Sequence, residues 1–165
     1  MWRTFAADRV TLSEGGAVAT QTVSGQSLTT TGTEITEGKH YWEVELLSEK
    51  ENGIFIGISR PNLNPVGEYF NRESGWFTHV NSGKRGDDRA GKYKQGDRVS
   101  VLLDLDNGSL RFFKNGVQHG PGYPAGSVVG PVVHAVQFSI PVRFASSESI
   151  VRLLRDAAWP TGHAQ

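Results

Sequence analysis

The twenty residues from Val99 to Gln118, VSVLLDLDNGSLRFFKNGVQ, decide the fold class. Two short runs rich in Val, Leu and Phe, residues 99–105 and 109–114, flank Asp106-Asn107-Gly108. Asn and Gly tolerate the positive φ that a type I′ hairpin turn requires, so Asn107-Gly108 predicts such a turn. Asn115-Gly116 then turns the chain straight into Val117-Gln118, and the three runs make an antiparallel meander. Upstream, Tyr41-Trp42-Glu43-Val44-Glu45-Leu46 alternates with period two. Trp42, Val44 and Leu46 share one face, while Glu43 and Glu45 point the other way and predict a wet side. Ile54-Phe55-Ile56-Gly57-Ile58 is continuously apolar and reads as a strand buried on both sides.

The same punctuation extends to both ends. The first 36 residues, rich in Thr, Ser and Gly, predict two or three short strands such as Val10-Thr11-Leu12 and Ala17-Val18-Ala19. Val132 to Phe138 predicts another strand. Val142-Arg143-Phe144 alternates like one, and Ile150-Val151-Arg152-Leu153-Leu154 either closes a sheet or starts a short helix. The strand is favoured there because the apolar positions leave no clean helical stripe. Scattered glycine with many short strands is the pattern of an all-β domain.

The chain has 165 residues, the size of one domain. Seventeen basic and seventeen acidic side chains cancel, which argues against nucleic acid and anionic membrane as partners. The absence of cysteine excludes disulfides, thiolate metal sites and cysteine nucleophiles. The start, Met1-Trp2-Arg3-Thr4-Phe5-Ala6-Ala7-Asp8, lacks the form of a signal peptide, so the expected location is intracellular, cytoplasmic or nuclear.

Chemical motifs are few. Gly86-Asp87-Asp88-Arg89-Ala90-Gly91-Lys92 fits seven positions of a phosphate-binding loop, but Tyr93 stands where the magnesium-holding Ser or Thr belongs. Histidines 40, 79, 119, 134 and 163 are dispersed, with no pair at metal-ligand spacing. Asp104, Asp106 and Asn107 could form an oxygen cluster for calcium, though one short turn supplies too few ligands and turn chemistry explains them. Glu43 and Glu45 lie about 6–7 Å apart on one strand face, a spacing that solvation of that face accounts for. There is no Gly-x-Ser-x-Gly elbow. No catalytic residue, cofactor or metal is expected.

Gly38-Lys39-His40-Tyr41-Trp42-Glu43-Val44-Glu45 resembles the opening of a SPRY domain, the core of the B30.2 family. Three further blocks follow in the family's order: Ile56-Gly57-Ile58, then Gly75-Trp76-Phe77, then Gly96-Asp97-Arg98-Val99 leading through Leu103-Asp104-Leu105 to Leu110-Arg111-Phe112-Phe113-Lys114-Asn115-Gly116. The resemblance implies a two-layer antiparallel β-sandwich of the concanavalin-like, SPRY jelly-roll kind. Residues 1–165 would form a single domain with its best-matched core at 38–140. Residues 1–37 would add strands to the same sandwich, 141–159 a closing strand or short helix, and 160–165 a frayed tail. Trp42, Ile56, Leu103 and Phe112 are the expected core.

The resemblance also implies a protein-interaction module that binds through loops at one rim. The expected reading is a non-catalytic, monomeric adaptor holding a short acidic or polar peptide segment of another protein. From Lys84 to Arg98 the chain carries six basic residues (84, 85, 89, 92, 94, 98) against three acidic (87, 88, 97), a local positive excess. The expected partner-binding residues are Arg60, Tyr69, Phe70, Arg85, Asp87, Arg89, Val136 and Gln137, with Arg85 and Arg89 as charge partners and Val136-Gln137 in a turn. The alternatives are a lectin-like carbohydrate-binding sandwich and, further off, a glycan-processing enzyme with two converging carboxylates.

Overall fold

Among the described residues twelve strands follow one another. They are β1 (Trp2–Thr4), β2 (Val10–Ser13), β3 (Val18–Gln21), β4 (Gly25–Thr31), β5 (Lys39–Leu46), β6 (Gly53–Ser59), β7 (Gly75–His79), β8 (Arg98–Asp104), β9 (Ser109–Lys114), β10 (Val117–Gln118), β11 (Val133–Ile140) and β12 (Ser149–Leu154). A 3-10 turn at Glu14–Gly16 joins β2 to β3. The computed structural model describes residues 2–4, 9–23, 25–48, 53–61, 63, 75–79, 93–140 and 149–154. The strands form a five-stranded sheet, β1-β4-β11-β6-β7, and a seven-stranded sheet, β10-β9-β8-β5-β12-β3-β2, each antiparallel throughout. This is the all-β sandwich that the alternating pattern predicts. The amino-terminal 36 residues carry four strands rather than two or three, because Trp2–Thr4 and the Thr-rich Gly25–Thr31 pair with each other. Ile150 to Leu154 is a strand, wedged between β3 and β5.

Alternation sets what each face buries. From the seven-stranded sheet Trp42, Val44, Leu46, Val99, Val101, Leu103, Leu110, Phe112 and Val151 point inward. Ile54, Ile56, Ile58, Val136 and Phe138 meet them from the other layer. The four expected core residues are all there, with Trp42, Ile56 and Leu103 at 0% exposure. The outward side of the seven-stranded sheet is drier than alternation suggests. Glu43 and Glu45 are half-buried, and their outward-facing neighbours Ser100, Leu102 and Phe113 are buried. The other layer also has two apolar sides. Leu28, Phe77 and Ala135 form a second buried cluster on its outward face, with Phe55 and Leu63 packed against it. This explains the unbroken apolar run of β6.

The turns obey their own chemistry. At Asn115-Gly116 both residues have positive φ, 50° and 87°, and Lys114 pairs directly with Val117, so the two-residue turn between β9 and β10 is the type I′ hairpin. The β8–β9 connection is instead four residues long, and only Gly108 is in the positive-φ region, at 78°. The Asp104 carboxylate decides that geometry. Its Oδ1 accepts the backbone N–H groups of Asp106, at 3.0 Å, and Asn107, at 3.3 Å. This folds the chain into an Asx turn that the Asn-Gly dipeptide alone does not imply.

Asp97 ties three segments together. Its Oδ2 accepts the Lys94 N–H at 2.8 Å, its Oδ1 accepts from Asn115 Nδ2 at 3.0 Å, and its backbone carbonyl accepts the Leu46 N–H at 3.0 Å. Asn115 in turn accepts the Arg98 N–H through its own Oδ1 at 2.9 Å. The separated motifs Gly96-Asp97-Arg98 and Asn115-Gly116 are thus two halves of one hydrogen-bonded joint.

Candidate functional site

β6 ends at Ser59, and the next residue, Arg60, leaves the sheet at the rim. Its guanidinium carbon lies 4.9 Å from the centroid of the Trp76 ring, the geometry of a cation–π contact. One guanidinium nitrogen donates to the Val129 carbonyl. Trp76 is fixed from the other side, since its indole N–H donates to the Ser127 carbonyl at 3.0 Å. The segment before β11 is therefore laced to the β6–β7 end of the five-stranded sheet. Val129 stands beside this arrangement with 63% of its surface exposed. An apolar side chain next to an oriented cation suits a ligand with a carboxylate or carbonyl followed by an aliphatic group. The guanidinium has five N–H donors in a planar fork, more than the Val129 carbonyl occupies.

Tyr123 secures the same loop to the free edge of β7. Its hydroxyl accepts the Phe77 N–H at 3.3 Å and donates to the Phe77 carbonyl at 3.2 Å. A single side chain thus satisfies both outward-facing backbone groups of a residue that, among the described residues, lies on an edge strand.

Of the expected partner-binding residues, Arg60 is at this rim. Tyr69, Phe70, Arg85, Asp87 and Arg89 lie outside the described residues, as do the phosphate-loop-like stretch 86–92 and Val142-Arg143-Phe144. Val136 and Gln137 are not in a turn. They sit in the middle of β11, the central strand of its sheet, at 0% and 2% exposure. Both sides of that strand are covered, Val136 by the interlayer core and Gln137 among the outward-facing cluster of Leu28 and Phe55, its cross-strand neighbours. Neither touches solvent at the rim. Sequence reading passed over Val129, Ser127 and Tyr123. Val128-Val129 shows no pattern that separates the buried first residue from the exposed second, and only the bond to Arg60 reveals it.

The oxygen cluster is committed to turns. Asp104 holds the Asx turn, and Asp106 Oδ1 accepts the Gly38 N–H at 3.1 Å. Among the described residues no group of three His, Asp or Glu side chains could hold a metal ion. Glu43 Oε1 accepts from the Tyr41 hydroxyl at 2.8 Å, and burial raises the Tyr41 pKa above its ordinary value. No helix among the described residues is long and apolar enough to cross a membrane.

Among the buried titratable side chains, His134 joins the two layers. His134 on β11 stacks on Trp42 of β5, ring centroids 3.5 Å apart, and so bridges the two layers. Burial, reinforced by the like charges of His40 and the amino terminus, pushes its pKa down to about 3.

The site lies on loops anchored at one rim of a two-layer sandwich, the place where such a scaffold presents its functional side chains. The SPRY domain family model matches residues 39–148. The chain belongs to the SPRY domain family. The SPRY domain of human HERC1 has a similar solved structure, with a TM-score of 0.70 at 19% identity over 87% of this chain and 91% of that chain. The PSpry domain of TRIM65 gives 0.64 at 17% identity, over 89% and 86%. At these identities the likeness is one of fold. SPRY domains are in general non-catalytic modules of protein–protein interaction.

Proposed function

We propose that this domain is a monomeric intracellular adaptor that holds a short acidic or polar segment of a partner protein at the Arg60 rim. The observation that carries the reading is the Arg60 guanidinium, held over Trp76 and tied to the Val129 carbonyl beside an exposed valine. A pre-oriented arginine loses little freedom on meeting a carboxylate, so its hydrogen bonds translate into affinity. Arg85 and Arg89, from the basic stretch 84–98, with Tyr69, Phe70 and Asp87, are further partner-binding residues in this reading. Because the sandwich is already formed, binding leaves the fold unchanged.

Panning a random twelve-residue display library against the domain tests this. Wild type should enrich peptides carrying Asp or Glu next to an aliphatic residue. Arg60→Ala should weaken the selected peptides about ten-fold or more, the worth of a charge-assisted hydrogen bond, with nearly the same Tm. The double variant Arg85→Ala/Arg89→Ala should weaken them further. Undiminished affinity in Arg60→Ala would remove this rim from the binding site.

A further inference from the structure

Around the Trp42–His134 stack, four buried polar atoms find no partner among the protein's own groups: Trp2 Nε1, Thr29 Oγ1, Trp42 Nε1 and His134 Nε2. Their residues are all at least nine-tenths buried, Trp2 at 1%, Thr29 and Trp42 at 0% and His134 at 7% exposure. Register places three of them on one face. Trp2 pairs with Thr31 and Thr4 with Thr29, while Thr29 pairs with Val136 and Thr30 with Ala135. His134 thus continues the cross-strand row of Trp2 and Thr31, and Thr29 stands in the next row on the same inward side. By strand geometry Trp2 and His134 have Cα atoms about 10 Å apart, within reach of an indole, and Thr29 is about 8 Å from His134. Trp42 reaches the same place from the opposite layer.

We infer that this end of the interlayer space is an ordered-water site, in which water links Trp42 Nε1 and His134 Nε2 across the layers and extends to Trp2 and Thr29. Buried polar atoms in folded proteins nearly always have a partner, and a buried water needs two to four polar neighbours. The donor and acceptor balance fits. The two indole N–H groups can only donate, which fills the two lone pairs of a water. The unprotonated His134 Nε2 and the Thr29 hydroxyl can take its two hydrogens. Such a site selects the tautomer of His134 that carries its proton on Nδ1. It also fastens β1, a three-residue edge strand, to β4, β11 and β5 through a common solvent molecule.

The direct reading is on the wild-type domain. A crystal structure fine enough to place water should show density about 3 Å from both Trp42 Nε1 and His134 Nε2. In solution the Trp42 indole proton should show cross-relaxation with water. A dry interlayer and no water cross-relaxation would overturn the inference. Thr29→Val supplies an independent check, because it is isosteric and removes only the hydroxyl. If the hydroxyl holds water, the variant's unfolding equilibrium constant in urea should rise about five-fold. A variant as stable as wild type, or more stable, would mean the hydroxyl had no partner to lose and would count against the site.

Discussion

Lowering the pH from 7.5 to 5.0 puts a charge within reach of His134, and the structure sets what that costs. Two effects compete. The Trp42 face, 3.5 Å away, would attract an imidazolium by about 0.5–2 kcal/mol. Burial opposes it, since His134 is only 7% exposed and its Nε2 has no protein partner to share a proton. Taking a charge out of water costs several kcal/mol, so burial prevails and the folded pKa falls to about 3. The unfolded chain titrates at about 6.5 and therefore binds the proton more readily than the folded one. Stability from His134 is thus complete above pH 6.5 and lost as the pH falls from there toward 3. Linkage puts the loss at about 2 kcal/mol at pH 5.0, close to thirty-fold in the folding equilibrium. Urea unfolding from pH 7.5 to 5.0 should show it in wild type. His134→Phe keeps an aromatic ring on Trp42 without a titrating group, so its stability should fall about 2 kcal/mol less over that range. Parallel curves for the two proteins would refute the assignment.

Substitutions at three further positions probe the scaffold, each read by chemical denaturation. Asp97→Ala strips the partners of the Lys94 N–H and Asn115 Nδ2 and should cost about 3 kcal/mol, whereas Asp97→Asn, which keeps an acceptor, should cost less. Tyr123→Phe leaves both edge groups of Phe77 without their hydroxyl and should cost about 1–2 kcal/mol; an unchanged midpoint would mean water replaces it fully. Gly57→Ala would set a Cβ 2.0 Å from the Trp76 carbonyl oxygen, so β6 and β7 must separate, at a cost of about 1–3 kcal/mol. A neutral result there would contradict the pairing of Gly57 with Phe77.

Much of this molecule follows from local pattern. Period-two alternation in Trp42, Val44 and Leu46 picks the buried face of β5, because successive side chains of a strand leave on opposite sides. Asn115-Gly116 specifies its own hairpin, since few residues accept the positive φ it needs. The opening at Gly38 and the blocks after it were enough to indicate the family. Other features depend on residues distant in the chain. Asp104 turned the β8–β9 connection away from the two-residue hairpin that Asn-Gly suggests, because a carboxylate just before the turn competed for its amides. Val136 and Gln137 look like any alternating pair, and only their place in the central strand of a sheet covered on both sides buries them. The rim shows the same division. Arg60 was legible as a basic residue just past a strand. Its partners Trp76 and Val129, and the Ser127 carbonyl that fixes Trp76, come from two other segments, brought alongside by strand pairing. Alternation and turn chemistry act over a few residues and are written in order along the chain. Which strands become neighbours, and so which loops meet at one rim, is settled by burying both layers at once, a condition that no local stretch contains.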